Sequence, residues 1–344
     1  MRQIRVGIIG AGENTRLRHI PGLQAIEGVE IISVANRRRE SSERVAKEFG
    51  IPNVYDSWEE LVTADDSDAI VIGTWPYLHC PVTLAALSAG KHVMTEARMA
   101  MNAEEAQTML KTSQQCPELV AQVVPSPFSL PIDKTLKRLV EEDFLGKLLA
   151  IEVQATSGEF LDSQSPMHWR QDVEFSGMNI MTLGIWYEAV MRWVGEATKV
   201  NAHGKVFVQK RKDPITGESK AVKVPEHLVV SAEMECNAMA TFQVSQVTGA
   251  MEVNEARLFG TEGTLLFRNG ELLGRKVEDT EFSRIPIPSE EAGGWRVEEE
   301  FINAIRGDEK ITHTTFEDGV KYMKFTEAVN QSMAEERTIA ISSI

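Results

Sequence analysis

The chain is expected to be α/β: a Rossmann domain, with a doubly wound parallel sheet, followed by an α+β domain built on a large, mostly antiparallel open sheet. Short apolar β-type runs alternate with helical-period segments over the first 122 residues, as in a parallel sheet covered on both faces. A glycine turn, Gly7-Ile8-Ile9-Gly10-Ala11-Gly12, follows the first such run and precedes a helical one. Beyond Pro125 and Pro127 the texture changes to many alternating β segments, and Asn269-Gly270 marks a two-residue hairpin.

Apolar spacing predicts strands over 4–9, 30–35, 69–73, 92–95 and 119–123, and helices over 16–26, 41–49, 58–62, 80–88 and 103–114. Asn102, with Glu105 three residues on, reads as an N-cap and its partner, and Gly90 as a left-handed terminator. Pro125-Ser126-Pro127 sets the border, separating a first domain of residues 1–123 from a second of residues 124–344. In the latter a helix is expected over 131–142, a strand over 148–155, a helix over 179–194 and hairpin strands over 264–267 and 272–275. Amphipathic helices over 295–305 and 316–334 are expected to pack back near the first domain.

A length of 344 residues suffices for two separate cores. No run of about 18 apolar residues occurs, and the N-terminus passes into a strand without a signal-type leader, so a cytoplasmic protein away from membranes is expected. Cys80, Cys116 and Cys236 are odd in number and widely spaced, which predicts buried structural thiols and neither a disulfide framework nor a metal site. A net charge of −15 would repel a phosphate backbone and excludes nucleic acid as the expected partner. A small-molecule substrate is expected instead.

Gly10-x-Gly12, at a strand-to-helix turn, lets bare backbone approach a pyrophosphate at a helix N-terminus, with Asn14 and Thr15 opening that helix. A glycine turn without a ligand is the alternative. Thr15 stands where a third glycine would permit close packing, which predicts a looser contact or a longer turn. After the second strand, Ala35-Asn36-Arg37-Arg38 offers no carboxylate for an adenine ribose, and Arg37 or Arg38 suits a 2′-phosphate. The expected cofactor is therefore NADP in preference to NAD, against the alternative of a solvated basic loop.

Gly73-Thr74-Trp75-Pro76-Tyr77-Leu78-His79-Cys80-Pro81, together with the stretch from Ala85 to Glu96, resembles the Gfo/Idh/MocA oxidoreductase family. Trp169-Arg170, Ser176-Gly177, Leu183-Gly184, Arg192-Trp193, Phe259 to Thr264 and Phe316 to Gly319 extend the resemblance over both domains. It implies NAD or NADP chemistry on sugars, inositols or related polyols, and a homo-oligomer, dimer or tetramer, through the open sheet. It also implies that Gly10, Gly12, Thr74, Pro76, His79 and Glu96 surround the dinucleotide, with Trp75 and Ala97 beside them and Glu96 near the nicotinamide ribose.

The chain departs from that family at the positions that do chemistry. Its Glu-Lys-Pro signature here reads Glu96-Ala97-Arg98, and the family's Asp and His are Thr182 and Trp186. Hydride exchange at a C–OH carbon needs a group that takes or gives the hydroxyl proton, worth roughly 10²–10⁴-fold in rate. His168 and Tyr187 are the candidates for that work, with Glu188 beside Tyr187 competing for the same helix face. Arg98, Trp169, Arg170, Thr182 and Trp186 are candidates for substrate contact, Arg98 as an anion anchor and Trp186 as either core or a stacking floor. His203, His227, His313, Met178 with Met181, and the run Glu298–Glu300 have structural readings. Two functions remain open: an NAD(P)-dependent oxidoreductase with non-standard proton handling, or a catalytically silent dinucleotide-binding sensor or regulatory protein.

Overall fold

The computed structural model describes residues 3–249 and 251–344. The chain forms two compact units: one runs to Pro125 and takes in Arg296–Val320, the other comprises Ser126–Trp295 and Lys321–Ile344. A segment from beyond residue 295 thus belongs to the first unit, where the helix Val297–Arg306 contacts Ile20–Gln24.

The first unit holds β1 (Ile4–Ile9), β2 (Val29–Ala35), β3 (Asn53–Val54), β4 (Ala69–Ile72), β5 (His92–Thr95) and β6 (Ala121–Val123). All pair in parallel, in the order β3-β2-β1-β4-β5-β6, the doubly wound arrangement. β4 is buried along its whole length, as a strand covered on both faces must be, and Ile9, Ile70, Ile72, Val82, Leu87 and Val93 form the core about it. The two residues of β3 are too few for any periodicity to announce them.

The first helix departs from expectation. A π-helical turn at Thr15–His19 leads into α-helix at Ile20–Gln24. Pro21 has no N–H with which to continue the ordinary ladder, and the Ile20 N–H closes on the Thr15 carbonyl five residues back. Asn102 caps the helix Ala103–Gln115 through the Glu105 N–H at 2.8 Å, but the Glu105 carboxylate reaches one residue further, to the Met101 N–H. Gly90, at φ +72°, ends His79–Ser88 as expected.

The second unit holds β7 (Leu148–Thr156), β8 (Ala197–Lys205), β9 (Lys210–Lys212), β10 (Ser219–Ala221), β11 (His227–Met234), β12 (Met239–Ser245), β13 (Val253–Gly260), β14 (Gly263–Arg268), β15 (Glu271–Lys276), β16 (Ser283–Arg284) and β17 (Ile339–Ala340). Nine of them form one sheet, β16-β15-β14-β13-β7-β12-β11-β8-β17, antiparallel except for β7 with β12, and β9 pairs with β10 alone. Asn269 and Gly270 both have positive φ, +52° and +79°, as a type I′ hairpin between β14 and β15 requires. The helix expected from 179 begins instead at Leu183, because Met181 takes φ +45° and cannot sit in a right-handed helix. Of the cysteines only Cys80 is buried. Cys116 is partly exposed and Cys236, in the turn between β11 and β12, is exposed, which corrects the expectation of three buried thiols.

Arg211 on β9 and Glu226 are almost wholly buried and pair at 3.3 Å. Arg211 also donates to the carbonyls of Phe160, Asp162 and Ser165, while Glu226 accepts from Gln171 and from the Phe207 and Val208 N–H groups. The pair therefore anchors the irregular stretch that follows β7. Arg211→Ala leaves a buried carboxylate without its cation and is expected to cost about 3–5 kcal/mol in urea unfolding. A loss below about 1 kcal/mol would show that the stretch is held by other contacts.

Candidate functional site

In the first unit the residues singled out in the sequence gather at the carboxyl ends of the strands. Gly10 follows β1, Asn36 follows β2, Thr74 lies just beyond β4 and Glu96 follows β5; β1 and β4 flank the point where strand order reverses. Gly10 has φ +81°, and a Cβ there would lie 2.8 Å from the Thr74 amide nitrogen. Gly12 is exposed, and a Cβ on it would meet only the Gly73 carbonyl, at 3.4 Å.

Thr15 is buried and its hydroxyl lies 3.3 Å from the Gly10 carbonyl. The helix-to-strand contact is close, not loosened, because Gly73 at the end of β4 supplies the clearance: a Cβ there would overlap both Thr15 Oγ1 and the Gly10 carbonyl. The glycine has changed sides of the contact. The helix opens at Glu13, and the N–H groups of a first helical turn have no partners within the helix. Those donors beside bare glycine backbone fit a dinucleotide diphosphate.

Glu96 is tied into this edge from several directions. Asn14 Nδ2 donates to Glu96 Oε1, His19 Nε2 lies 3.0 Å from the same oxygen, and the Ala97 N–H reaches Glu96 Oε2 at 3.2 Å. Burial alone would raise the Glu96 pKa, but the hydrogen bonds from His19 and Asn14 outweigh it and hold it at about 2. His79, expected around the dinucleotide, is fully buried, with Nδ1 2.8 Å from the Arg98 carbonyl and Nε2 3.0 Å from the Thr74 carbonyl. It clips the Thr74-Trp75-Pro76 loop to the Glu96-Ala97-Arg98 loop, and burial lowers its pKa. The Ala97–Arg98 peptide is cis, and the Arg98 side chain is only 9 % exposed.

Asn36 also differs from expectation. Its Oδ1 accepts the Ala11 N–H at 2.7 Å and its Nδ2 donates to Ser41, so the side chain braces the glycine turn. Arg37 and Arg38 beside it are exposed, and no ion pair holds either among the described residues, whereas Arg39 pairs with Glu43 and Asp56.

The other named residues lie in the second unit. Thr182 precedes the helix Leu183–Val194, and its buried hydroxyl has no hydrogen-bond partner among the described residues. Trp186 is core: 3 % exposed, with Phe128 at 4.3 Å and Phe267 at 6.2 Å between ring centroids. Tyr187 is corrected as a proton-transfer candidate. It is 1 % exposed, stacks on Phe325 at 3.6 Å and accepts the Ala197 N–H at 2.9 Å, and burial raises its pKa far from neutrality. Glu188 is equally buried, paired with Arg192 at 2.8 Å.

His168 caps the short turn Trp169–Gln171: its Nδ1 accepts the Arg170 N–H at 3.2 Å, leaving Nε2 as a donor in the neutral ring. Burial, then the Arg170 charge, lowers its pKa to about 4. His168 is thus a neutral donor near pH 7 rather than a base poised for proton exchange. Arg170 is exposed and lies 4.3 Å over the Trp169 ring. Among the described residues no three His, Cys, Asp or Glu side chains gather as metal ligands would.

Two family models match this chain. The oxidoreductase family model with an NAD-binding Rossmann fold covers residues 4–122, and the GFO/IDH/MocA C-terminal domain model covers residues 134–266. The chain belongs to the GFO/IDH/MocA family. An uncharacterized oxidoreductase of Synechocystis is 23 % identical over 365 residues, covering 99 % of this chain and 97 % of that protein. Glucose-fructose oxidoreductase domain-containing protein 2 of Xenopus laevis is 25 % identical, covering 80 % of this chain and 71 % of its own. Among solved structures, levoglucosan dehydrogenase in complex with NADH and L-sorbose superposes with a TM-score of 0.86 at 21 % identity, covering 98 % and 99 % of the two chains. The WlbA dehydrogenase of Chromobacterium violaceum, in complex with NADH and UDP-GlcNAcA, gives 0.81 at 20 % identity over 99 % and 96 %. At such identities the superpositions establish the fold.

Two residues at this edge were not singled out in the sequence: His19, and Glu298, which had only a structural reading. His19 shares one face of its helix with Thr15 and Leu23, at intervals of four, and a histidine on an otherwise buried stripe is the signal that could have found it. Nothing local marked Glu298, because its partner lies 279 residues away.

The folded pKa of His168 lies below its ordinary value of 6.5, so the unfolded chain binds more protons between pH 6.5 and about 4. The stabilisation is complete above pH 6.5 and is lost as pH falls toward 4. His168→Asn, which keeps a capping acceptor, is expected to flatten the fall of the urea midpoint over that window; equal slopes in both proteins would show a histidine with an ordinary pKa.

Proposed function

We propose that this protein is a pyridine-nucleotide-dependent oxidoreductase acting on a sugar, polyol or related small carbonyl compound, with NADP preferred to NAD. The observation that carries the reading is the interlocked glycine cradle: Gly10, Gly12 and Gly73 keep backbone bare at the one edge where β1 and β4 diverge, and Asn14, His19 and His79 brace the Glu96 loop beside it. A dinucleotide held by the Gly10 and Gly12 backbone would supply hydride exchange with a carbon bearing oxygen. The complexes of levoglucosan dehydrogenase with L-sorbose and of WlbA with UDP-GlcNAcA support a sugar-like substrate.

Arg37 and Arg38 support the nucleotide preference, as exposed guanidinium groups without carboxylate partners beside the bracing Asn36. Within the second unit, Arg170 on Trp169 offers a cation over an aromatic plate, and His168 offers an Nε2–H donor. The protein works in the cytoplasm as a dimer or tetramer through the open face of the nine-stranded sheet, where Val229 and Met239 leave apolar side chains uncovered. No helix among the described residues is long and apolar enough to cross a membrane.

A second reading, a nucleotide-binding sensor without turnover, is favoured by what stands at the altered positions. Ala97 has no titratable group, Trp186 and Tyr187 lie in the core, and His168 is held neutral. Incubation with NADPH or NADP against a panel of sugars, inositols and keto acids separates the two: an absorbance change at the nicotinamide band ends the sensor reading, and tight nucleotide binding with no change across the panel ends the enzyme reading.

Calorimetry is expected to show tighter binding of NADPH than of NADH. In the double variant Arg37→Ala, Arg38→Ala the NADPH Kd is expected to rise about tenfold, as loss of a charge-assisted bond predicts, with NADH little changed. Tighter NADH binding by the unmodified protein would overturn the preference.

A further inference from the structure

The π turn ahead of Pro21 delivers His19 into the interior of the first unit, with a side chain 0 % exposed. Both ring nitrogens meet carboxylates. Nδ1 lies 2.5 Å from Glu298 Oε1 and Nε2 lies 3.0 Å from Glu96 Oε1. A neutral imidazole has one N–H and would turn a lone pair toward one of these two carboxylates, whereas an imidazolium donates to both. Burial pushes the ring toward neutrality, but its hydrogen bonds to Glu298 and Glu96 outweigh it and raise its pKa to about 9.

The charged groups facing the ring come from two other elements: Glu96 from the loop after β5, and Glu298 from the helix Val297–Arg306. Asn14, on the ring's own helix, lies 3.4 Å from Nε2 and also donates to Glu96 Oε1. Room for Glu298 comes from Gly22, where a Cβ would lie 3.0 Å from that carboxylate. The consequence falls on Glu96. Its Oε1 is committed to His19 and Asn14, while among the described residues Oε2 meets only the long contact from the Ala97 N–H, and the side chain retains 16 % exposure.

We propose that His19 is a positioning residue for the dinucleotide: clamped between Glu298 and Glu96, it keeps Glu96 ionised with Oε2 turned out to a ribose hydroxyl, and it offsets that negative charge beside an anionic ligand. This rests on the nucleotide-binding reading above. The C-terminal return of the chain thereby takes part in the nucleotide site through Glu298, without touching the ligand.

The test uses the full chain, as unmodified protein, His19→Gln and Glu298→Gln, with calorimetric titration of NADPH from pH 6.5 to 10.5 and NMR of protein carrying ¹³C-labelled histidine. One histidine resonance, absent from His19→Gln, is expected to keep its imidazolium shift through pH 8. Nucleotide Kd is expected to rise as pH passes about 9, because the protonated ring is the competent form. His19→Gln is expected to raise Kd at pH 7.5 about tenfold, as loss of a charged hydrogen bond predicts, and to abolish the step. Glu298→Gln, which keeps the contact to Glu96, should move the resonance and the step to lower pH together; it also serves if His19→Gln does not fold. A resonance titrating below pH 7, unchanged affinity in His19→Gln, or a step unmoved in Glu298→Gln overturns the proposal. The NMR titration reads the ion triad without nucleotide, so an imidazolium signal with no NADPH binding by the unmodified protein at millimolar concentration would overturn the nucleotide reading and the ribose role with it.

Discussion

At the carboxyl edge of the parallel sheet, the turns after β1 and β4 approach more closely than two side-chain-bearing backbones allow. Gly10 crosses against Thr74, and Gly73 faces both Thr15 and the Gly10 carbonyl, where any Cβ would overlap its neighbours. Much else follows from this contact. It sets where the first helix begins, exposes the backbone of Gly12, and brings the loops after β4 and β5 within reach of two histidines.

Those histidines do different physical work with the same side chain. His79 meets two backbone carbonyls and no carboxylate, and burial lowers its pKa. His19 meets two carboxylates, and burial is overcome. Ion pairing in a dry interior decides the sign. Between them they brace the segment Glu96-Ala97-Arg98 from both sides. The loop is held from behind, by buried side chains on the first helix and on the helix after β4.

The doubly wound domain was legible because parallel strands buried on both faces are continuous apolar runs, and Gly10-x-Gly12 sits at the turn where such runs meet a helix. The hairpin at Asn269-Gly270 was legible because positive φ at two adjacent residues restricts the choice of residue. The site was legible only in part. Asn36 was placed correctly in the chain, but its partner Ala11 was not foreseeable, and Tyr187 carries the right functional group on a face turned wholly into the core. Whether a titratable group meets solvent or a buried ring is a property of packing, which periodicity reports for a helix face but not for a single hydroxyl.

By itself the sequence determined the order of the main elements, the family and the glycine turn after the first strand, since all of these depend on residue type and local spacing. Only the tertiary structure decided that Gly73 replaces the missing third glycine, that His168 is neutral, and that His19 is flanked by Glu96 and Glu298 from elements far along the chain. A steric clearance and an electrostatic environment are set by what lies across a contact, and no local pattern records a partner 279 residues away.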